Sequence, residues 1–233
     1  LPLADLAAIG LSLRHPDESG SLYITYGDCA NLALVLLHSH LDELSSDAIM
    51  SLVLERGEKG SISSHAFHSL MRELIPMPRG STGAGADAVP DTLFLSRALN
   101  RLFRAFDRQG QKAAPLAEFA AGFSLLAAGR KSDKLSLAWL LFDDDDDGAL
   151  TKIQLWRFLR AFLSALVSTK YLTVRLSKLE AEALADMIDV TAVEVVEQVF
   201  AGVGKGSDAE AEDAEEVPTE TVTYEDFGAW YNG

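Results

Sequence analysis

The chain has 233 residues, enough for one large or two modest domains, and two lobes are the expected division. Its 20 Lys and Arg stand against 35 Asp and Glu, a formal net charge of −15, which argues against binding the phosphate backbone of nucleic acid and favours cations and basic helices as partners. The single cysteine, Cys29, excludes an internal disulfide framework and fits a reducing, cytoplasmic setting, and no apolar run nears the roughly 18 residues of a membrane span.

Helical periodicity runs from end to end, with strand-like alternation confined to stubs beside suspected loops, so the fold class is all-α. A start at Leu1 without methionine and an end at Gly233 just past a helical pattern read as a piece of a longer protein, whose targeting and N-terminal lipid signals would lie outside it. In the N-terminal segment, residues 1–44, the stretch Asp17 to Asp28 with Ile24-Thr25 reads equally as a degenerate cation loop or an ordinary turn. Short apolar runs such as Leu32 to Leu37 read as core.

The next frame, residues 55–66, passes from Glu55 through Gly60, Ile62 and Ser63 with apolar helices on both sides. It ends on Ala66, where a cation loop needs a carboxylate, so it is expected to hold no calcium. Residues 76–90, with Gly80, Gly83, Gly85 and three prolines, read as a linker or long loop. Leu99, Leu102, Phe103 and Phe106 then lead into residues 107–118, where Asp107 and Glu118 hold the first and twelfth places. Lys112 stands at the sixth, where glycine is wanted, and brings a positive charge, so this loop too is expected to be metal-free.

Leu135, Ala138, Trp139 and Phe142 share one face of a helix that enters Asp143-Asp144-Asp145-Asp146-Asp147-Gly148-Ala149-Leu150-Thr151-Lys152-Ile153-Gln154. An EF-hand calcium loop needs oxygen ligands at positions 1, 3 and 5, glycine at 6, a backbone carbonyl at 7, a polar group at 9 and a carboxylate at 12. Asp143, Asp145 and Asp147 fill the first three, Gly148 the turn, Ala149 the carbonyl and Thr151 the ninth place. Leu150, at position 8, is where such a loop runs a short strand against a partner loop. A solvated acidic tract needs none of these extras. The departure is Gln154, whose amide offers one uncharged oxygen where glutamate offers two and a charge. Asp143, Asp145, Asp147, Ala149, Thr151 and Gln154 are therefore the expected metal ligands, with calcium the expected ion, weakened affinity, and poorer rejection of magnesium.

Lys152 to about Val167 is apolar on more than one face, so it must be buried by its own lobe on one side and by something else on the other. Val195, Val196, Val199 and Phe200 lead into a last frame, residues 201–226, that ends in Val222-Thr223-Tyr224-Glu225-Asp226-Phe227. Between them Gly202 to Glu220, rich in Gly, Ala, Asp and Glu, reads as a flexible acidic insertion that replaces a ligand array. A lone helix-loop-helix cannot bury its apolar face, so the units are expected to pair, with short antiparallel β stubs between paired loops.

Phe103-Arg104-Ala105-Phe106-Asp107-Arg108, Glu118-Phe119, Ser132-Asp133-Lys134-Leu135, Leu141-Phe142-Asp143 with Asp147-Gly148, and Val222 to Phe227 resemble the calcineurin B-like and neuronal calcium sensor EF-hand proteins and the regulatory EF-hand region of calcium-dependent NADPH oxidases. The resemblance spans about Leu44 to Trp230. It implies four hands at Glu55, Asp107, Asp143 and 201–226, the first two in one lobe (45–130) and the last two in another (131–233), with an apolar groove for a target helix. The chain departs from that pattern in three incomplete loops and in the acidic insertion.

The expected function is a calcium-binding regulatory module with one competent loop, which transmits ion binding to an amphipathic helix of a target or a neighbouring domain through the apolar surface near Trp139, Trp156, Phe158 and Phe162. The alternative is a constitutive scaffold whose single site holds calcium or magnesium without switching. Catalysis is not expected. His65 and His68 lie three apart, with His38 and His40 nearby, but no spacing rule supplies further zinc ligands. The chain has no Gly-x-Ser-x-Gly, no phosphate-binding glycine loop and no Cys-His nucleophile pair.

Overall fold

The structure, a computed structural model, describes residues 13–14, 21–22, 24–75, 88–207 and 221–232. It is mostly helical, with small two-stranded antiparallel sheets. Strands β1 (Leu13–Arg14) and β2 (Ser21–Leu22) form the first sheet and lead to helix α1 (Tyr26–Ser39). Thr25 opens that helix with a capping box: Asp28 N–H donates to Thr25 Oγ1 at 3.3 Å and Thr25 N–H donates to Asp28 Oδ2 at 2.7 Å. Thr25 and Asp28 of the N-terminal echo thus act as a helix cap. Residues 17–20 and 23 of that echo lie outside the described residues.

After a 3₁₀ turn at Leu41–Glu43 come α2 (Ser46–Glu55), β3 (Ser61–Ser63) and α3 (Ser64–Leu74), then α4 (Ala88–Phe106), β4 (Ala113–Pro115) and α5 (Leu116–Ser124). Helix α6 (Lys131–Leu140), β5 (Ala149–Thr151) and α7 (Lys152–Lys170) follow, and α8 (Lys178–Ser207), β6 (Thr221–Thr223) and α9 (Tyr224–Asn232) complete the order. Two sequence expectations shift here. The linker at 76–90 ends earlier, because Ala88-Val89-Pro90 already form the first turn of α4, where proline's missing N–H has no bond to lose. Residues 76–87 lie outside the described residues. The acidic insertion starts later, because α8 continues through Gly202 to Ser207, and 208–220 lie outside the described residues.

Each of β3, β5 and β6 ends in a hydroxyl residue that begins the next helix, because a strand already gives its last residue the extended backbone that an N-cap requires. Ser63 accepts from Ala66 N–H at 3.1 Å, Thr151 from Gln154 N–H at 3.4 Å and Thr223 from Asp226 N–H at 3.2 Å. β3 pairs with β4 through Ile62 opposite Ala114, and β5 pairs with β6 through Leu150 opposite Val222. All four central residues are buried, since the middle side chain of a three-residue strand faces one side alone.

Three apolar clusters fill the interior. Phe67, Phe103, Phe106, Phe119 and Phe123 dominate the first, with Phe67 stacked on Phe103 at 5.1 Å and Phe119 on Phe123 at 5.4 Å. Trp139, Phe142, Phe158, Phe162 and Phe227 build the second, and Leu163, Val167, Met187 and Ile188 the third. Helix α7 supplies Ala165 to the first, Leu155, Phe158, Ala161 and Phe162 to the second, and Leu163 and Val167 to the third, which accounts for its many-sided apolar sequence. It also runs close to α5: a Cβ on Gly122 would lie 2.8 Å from the Ala161 carbonyl oxygen and 2.5 Å from Phe106 Cζ. Among the described residues no helix is long and apolar enough to cross a membrane.

Candidate metal centre

Helix α6 hands the chain to the Asp143 loop through a turn in which Asp143 N–H donates to Trp139 O at 3.2 Å. Asp143, only 9% exposed, then folds the loop around its own carboxylate: Oδ1 accepts from Asp147 N–H at 3.1 Å and Oδ2 from Gly148 N–H at 2.8 Å. Gly148 sits at φ +84°, where a Cβ would be strained, and Asp146 reaches φ +58°. Asp147 Oδ1 accepts from Ala149 N–H at 2.8 Å, which sets Ala149 at the start of β5.

This folding brings Asp143, Asp145 and Asp147 together, each offering one carboxylate oxygen within 4.8 Å of the others. Oxygens on one calcium ion sit about 2.3–2.6 Å from it and so at most about 5.2 Å apart, which this trio satisfies. Among the described residues it is the one group of three or more His, Cys, Asp or Glu side chains whose ligand atoms converge. Asp144 turns away and pairs with Arg157 of α7 at 3.3 Å.

Thr151 and Gln154 are placed differently from the aspartates. Gln154 Oε1 accepts from Thr151 N–H at 2.7 Å and from Thr151 Oγ1 at 2.8 Å, so both lone pairs of the amide oxygen cap α7. Of the six expected ligands, the structure converges the three aspartates, sets Ala149 next to them through its backbone, and engages Thr151 and Gln154 with each other.

The loop at 107–118 repeats the backbone plan without the ligands. Asp107 accepts from Gln111 N–H and Lys112 N–H, each at 2.9 Å, as Asp143 does from residues four and five places on. Gly110 (φ +64°) and Lys112 (φ +59°) repeat the left-handed pair Asp146 and Gly148. Its last residue, Glu118, is buried and faces α7, where Arg160 Nε donates to Glu118 Oε2 at 2.9 Å and a second guanidinium nitrogen donates to Oε1. At 55–66, Glu58 and Ser61 exchange backbone hydrogen bonds at 2.8 and 3.0 Å around Lys59 (φ +50°) and Gly60 (φ +75°), a tight hairpin turn. In the last frame Asp226 Oδ2 accepts from Thr223 N–H and Oγ1, so that carboxylate is a cap as well.

The Glu118–Arg160 pair belongs to a network absent from the sequence reading. Arg160 stacks on Trp156 with 3.9 Å to the ring centroid and lies 4.0 Å from Asp189. Arg108 donates to Asp189 Oδ1 at 2.5 Å and to Ser164 Oγ at 3.2 Å. Burial holds the Arg108 guanidinium below its ordinary value, against the opposing pull of Asp189. Its sequence signal is charge on otherwise apolar helices: Arg160 in α7 and Glu118 beside Phe119. Lys134 is similar. It is buried, its ammonium donates to Leu125 O at 3.0 Å and Ala127 O at 2.6 Å beyond the end of α5, and burial lowers its pKa.

The aromatic surface expected to meet a target helix is interior here. Trp139, Phe158 and Phe162 are buried, with Phe227 of α9 5.7 Å from Phe158, and Trp156 lies under Arg160. The histidines do not converge: His68 ring nitrogens lie 2.6 Å from Asn100 Oδ1 and 3.2 Å from Ser64 Oγ, and His40 sits 2.8 Å from Glu43.

No family model matches this sequence. Over 66 residues it is 35% identical to the guanylyl cyclase inhibitory protein of Lithobates pipiens, a match that covers 28% of this chain and 32% of that protein. The chain thus spans about a third of the length of this relative. No solved structure matches.

Proposed function

We propose that this chain is a calcium-binding regulatory module of the EF-hand type, with paired helix-loop-helix units and one competent loop at 143–154. The carrying observation is the convergence of Asp143, Asp145 and Asp147 on a loop held open by backbone donors. The strand pairs β3–β4 and β5–β6 support two pairs of units, the first in residues 45–130 and the second in 131–233. The three carboxylates and the Ala149 carbonyl would hold a hard cation, which supplies the positive charge that relieves their mutual repulsion. Thr151 and Gln154 join only by giving up their cap, and that exchange is the step that would pull on the first turn of α7.

The same cap favours a second reading, a constitutive scaffold that holds calcium or magnesium without rearrangement. With Gln154 satisfied and the Trp139 cluster closed, a bound ion need move little. In either reading the partner is an amphipathic helix, and exposed Leu140, just before the loop, and Ile153, near its end, are apolar residues that such a helix would meet. No catalytic role is proposed. The name of the partial relative, an inhibitory protein, is in keeping with regulation.

Calorimetric titration with calcium and with magnesium tests the proposal on the native chain and on Asp143→Ala. One calcium per chain in the first and none in the second is the expected result, and no heat from the native chain at millimolar calcium overturns it. Tryptophan emission and target affinity with and without chelator then separate switch from scaffold.

A further inference from the structure

Although the chain carries a net charge of −15, one of its surfaces is cationic. Arg97, Arg101 and Arg104 recur on α4 at spacings of four and three residues, which place them along one face of the helix. Arg175, from the joint between α7 and α8, comes close enough to act on Arg101 as a like charge. Arg101 is fixed in place by a bond from its guanidinium to Leu172 O at 2.6 Å. Elsewhere Arg56 pairs with Glu73, Arg108 with Asp189 and Arg157 with Asp144. Among the described residues Arg97, Arg104 and Arg175 make no ion pair.

Next to this row is a cleft of about 280 Å³ lined by Leu93, Phe94, Arg97, Arg101 and Thr173. Its apolar side is open, with Leu93 48% exposed. We infer that the cleft binds a small organic phosphate, its dianionic group held by Arg97 and Arg101 and its apolar body resting on Leu93 and Phe94. Guanidinium forks match phosphate oxygens two at a time, and Thr173 adds a hydroxyl donor. The volume suits a small molecule near the lower end of the ligand-pocket range. A wide anionic surface such as a bilayer would meet the repulsion of the whole acidic chain. A small ligand within a Debye length, about 8 Å at physiological salt, feels chiefly the arginines.

The cleft shares no residue with the Asp143 loop, so calorimetry can be run in chelator with phenyl phosphate, inorganic phosphate and benzyl alcohol as probes. The expected result is binding of phenyl phosphate about tenfold tighter than inorganic phosphate, weakening as salt rises, with no heat from the uncharged alcohol. Arg97→Gln is expected to weaken phenyl phosphate about tenfold at an unchanged melting temperature, and Arg97→Lys to weaken it less, since the charge remains without the fork. No binding of phenyl phosphate, or unaltered affinity in Arg97→Gln, overturns the inference. Equal affinity for the two phosphates overturns the apolar half of the site and leaves a free-phosphate site. Sedimentation with vesicles bearing phosphorylated inositol lipid, in the absence of phenyl phosphate binding, reassigns the surface to a membrane.

Discussion

Arg160 grips Glu118 with two hydrogen bonds, and so takes the last carboxylate of the Asp107 loop out of reach of any ion there. The side chains are 15% and 5% exposed, so Glu118 depends on Arg160 for solvation, and Arg160 without Glu118 would keep only Asp189 at 4.0 Å and the Trp156 ring. Glu118→Ala strands a buried guanidinium and is expected to lower stability by about 3 kcal/mol. Glu118→Leu with Arg160→Met, which removes both charges, is expected to recover most of that loss. Urea midpoints of the two variants provide the comparison, and equal losses would refute it.

Gln154→Glu gives the intact loop a second oxygen and a charge at its twelfth position. Glutamate caps as well as glutamine, so stability without metal is expected to hold. Calcium affinity is expected to rise roughly tenfold, with a smaller change for magnesium, in a calorimetric titration.

Lys112 adopts φ +59°, at the position where the neighbouring loop has Gly148. A left-handed backbone costs an ordinary residue about 1–2 kcal/mol, and glycine returns roughly 0.5–1 kcal/mol of that as unfolded-state entropy. Lys112→Gly is therefore expected to stabilise the chain by about 0.5 kcal/mol in urea, and Gly148→Ala to destabilise it by about 1 kcal/mol.

Gly122 sets the distance between α5 and α7. An added methyl would meet the buried Phe106 ring, with Cζ 2.5 Å from it, and the Ala161 carbonyl, 2.8 Å from it, which is part of a helix. Gly122→Ala is expected to destabilise by about 1–3 kcal/mol, read as a fall in melting temperature, and a neutral result would mean that the two helices slide.

Burial, and then the charge of Asp133, raise the Tyr224 phenol above its ordinary value near 10, and its hydroxyl donates to Ser132 O at 3.1 Å. The folded state thus favours the protonated phenol. Its contribution is full below the ordinary value and is lost as pH climbs through the raised one. Absorbance at 295 nm should show Tyr224 ionising late together with Tyr171, which burial also raises, and Tyr224→Phe should remove one late step.

Much of this arrangement is legible in the sequence. Aspartates at alternate positions before Gly148 announce a tight loop around Asp143, and the apolar spacing of Leu155, Phe158 and Phe162 announces a buried helix. What stays hidden is competition between two uses of one side chain. Thr151-x-x-Gln154 satisfies the spacing of a ligand pair and of a capping box alike, and it is the hydrogen bonds of the structure that reveal the cap. Glu118 likewise has the right place for a ligand, and only the approach of α7 reveals its partner. Gly202 and Gly204 suggest an earlier end to α8, yet a Cβ on Gly202 would lie 2.7 Å from Trp230, so tertiary packing there outweighs helix propensity.

One consequence of α7 touching every apolar cluster concerns how the molecule comes apart. A chain severed between its proposed lobes leaves α5 without the wall that fits Gly122, and exposes Ala165 and its neighbours to water on the other fragment. Neither fragment keeps a sealed interior. The halves share a keel, so they are expected to melt in one calorimetric transition and not to serve as independent cassettes.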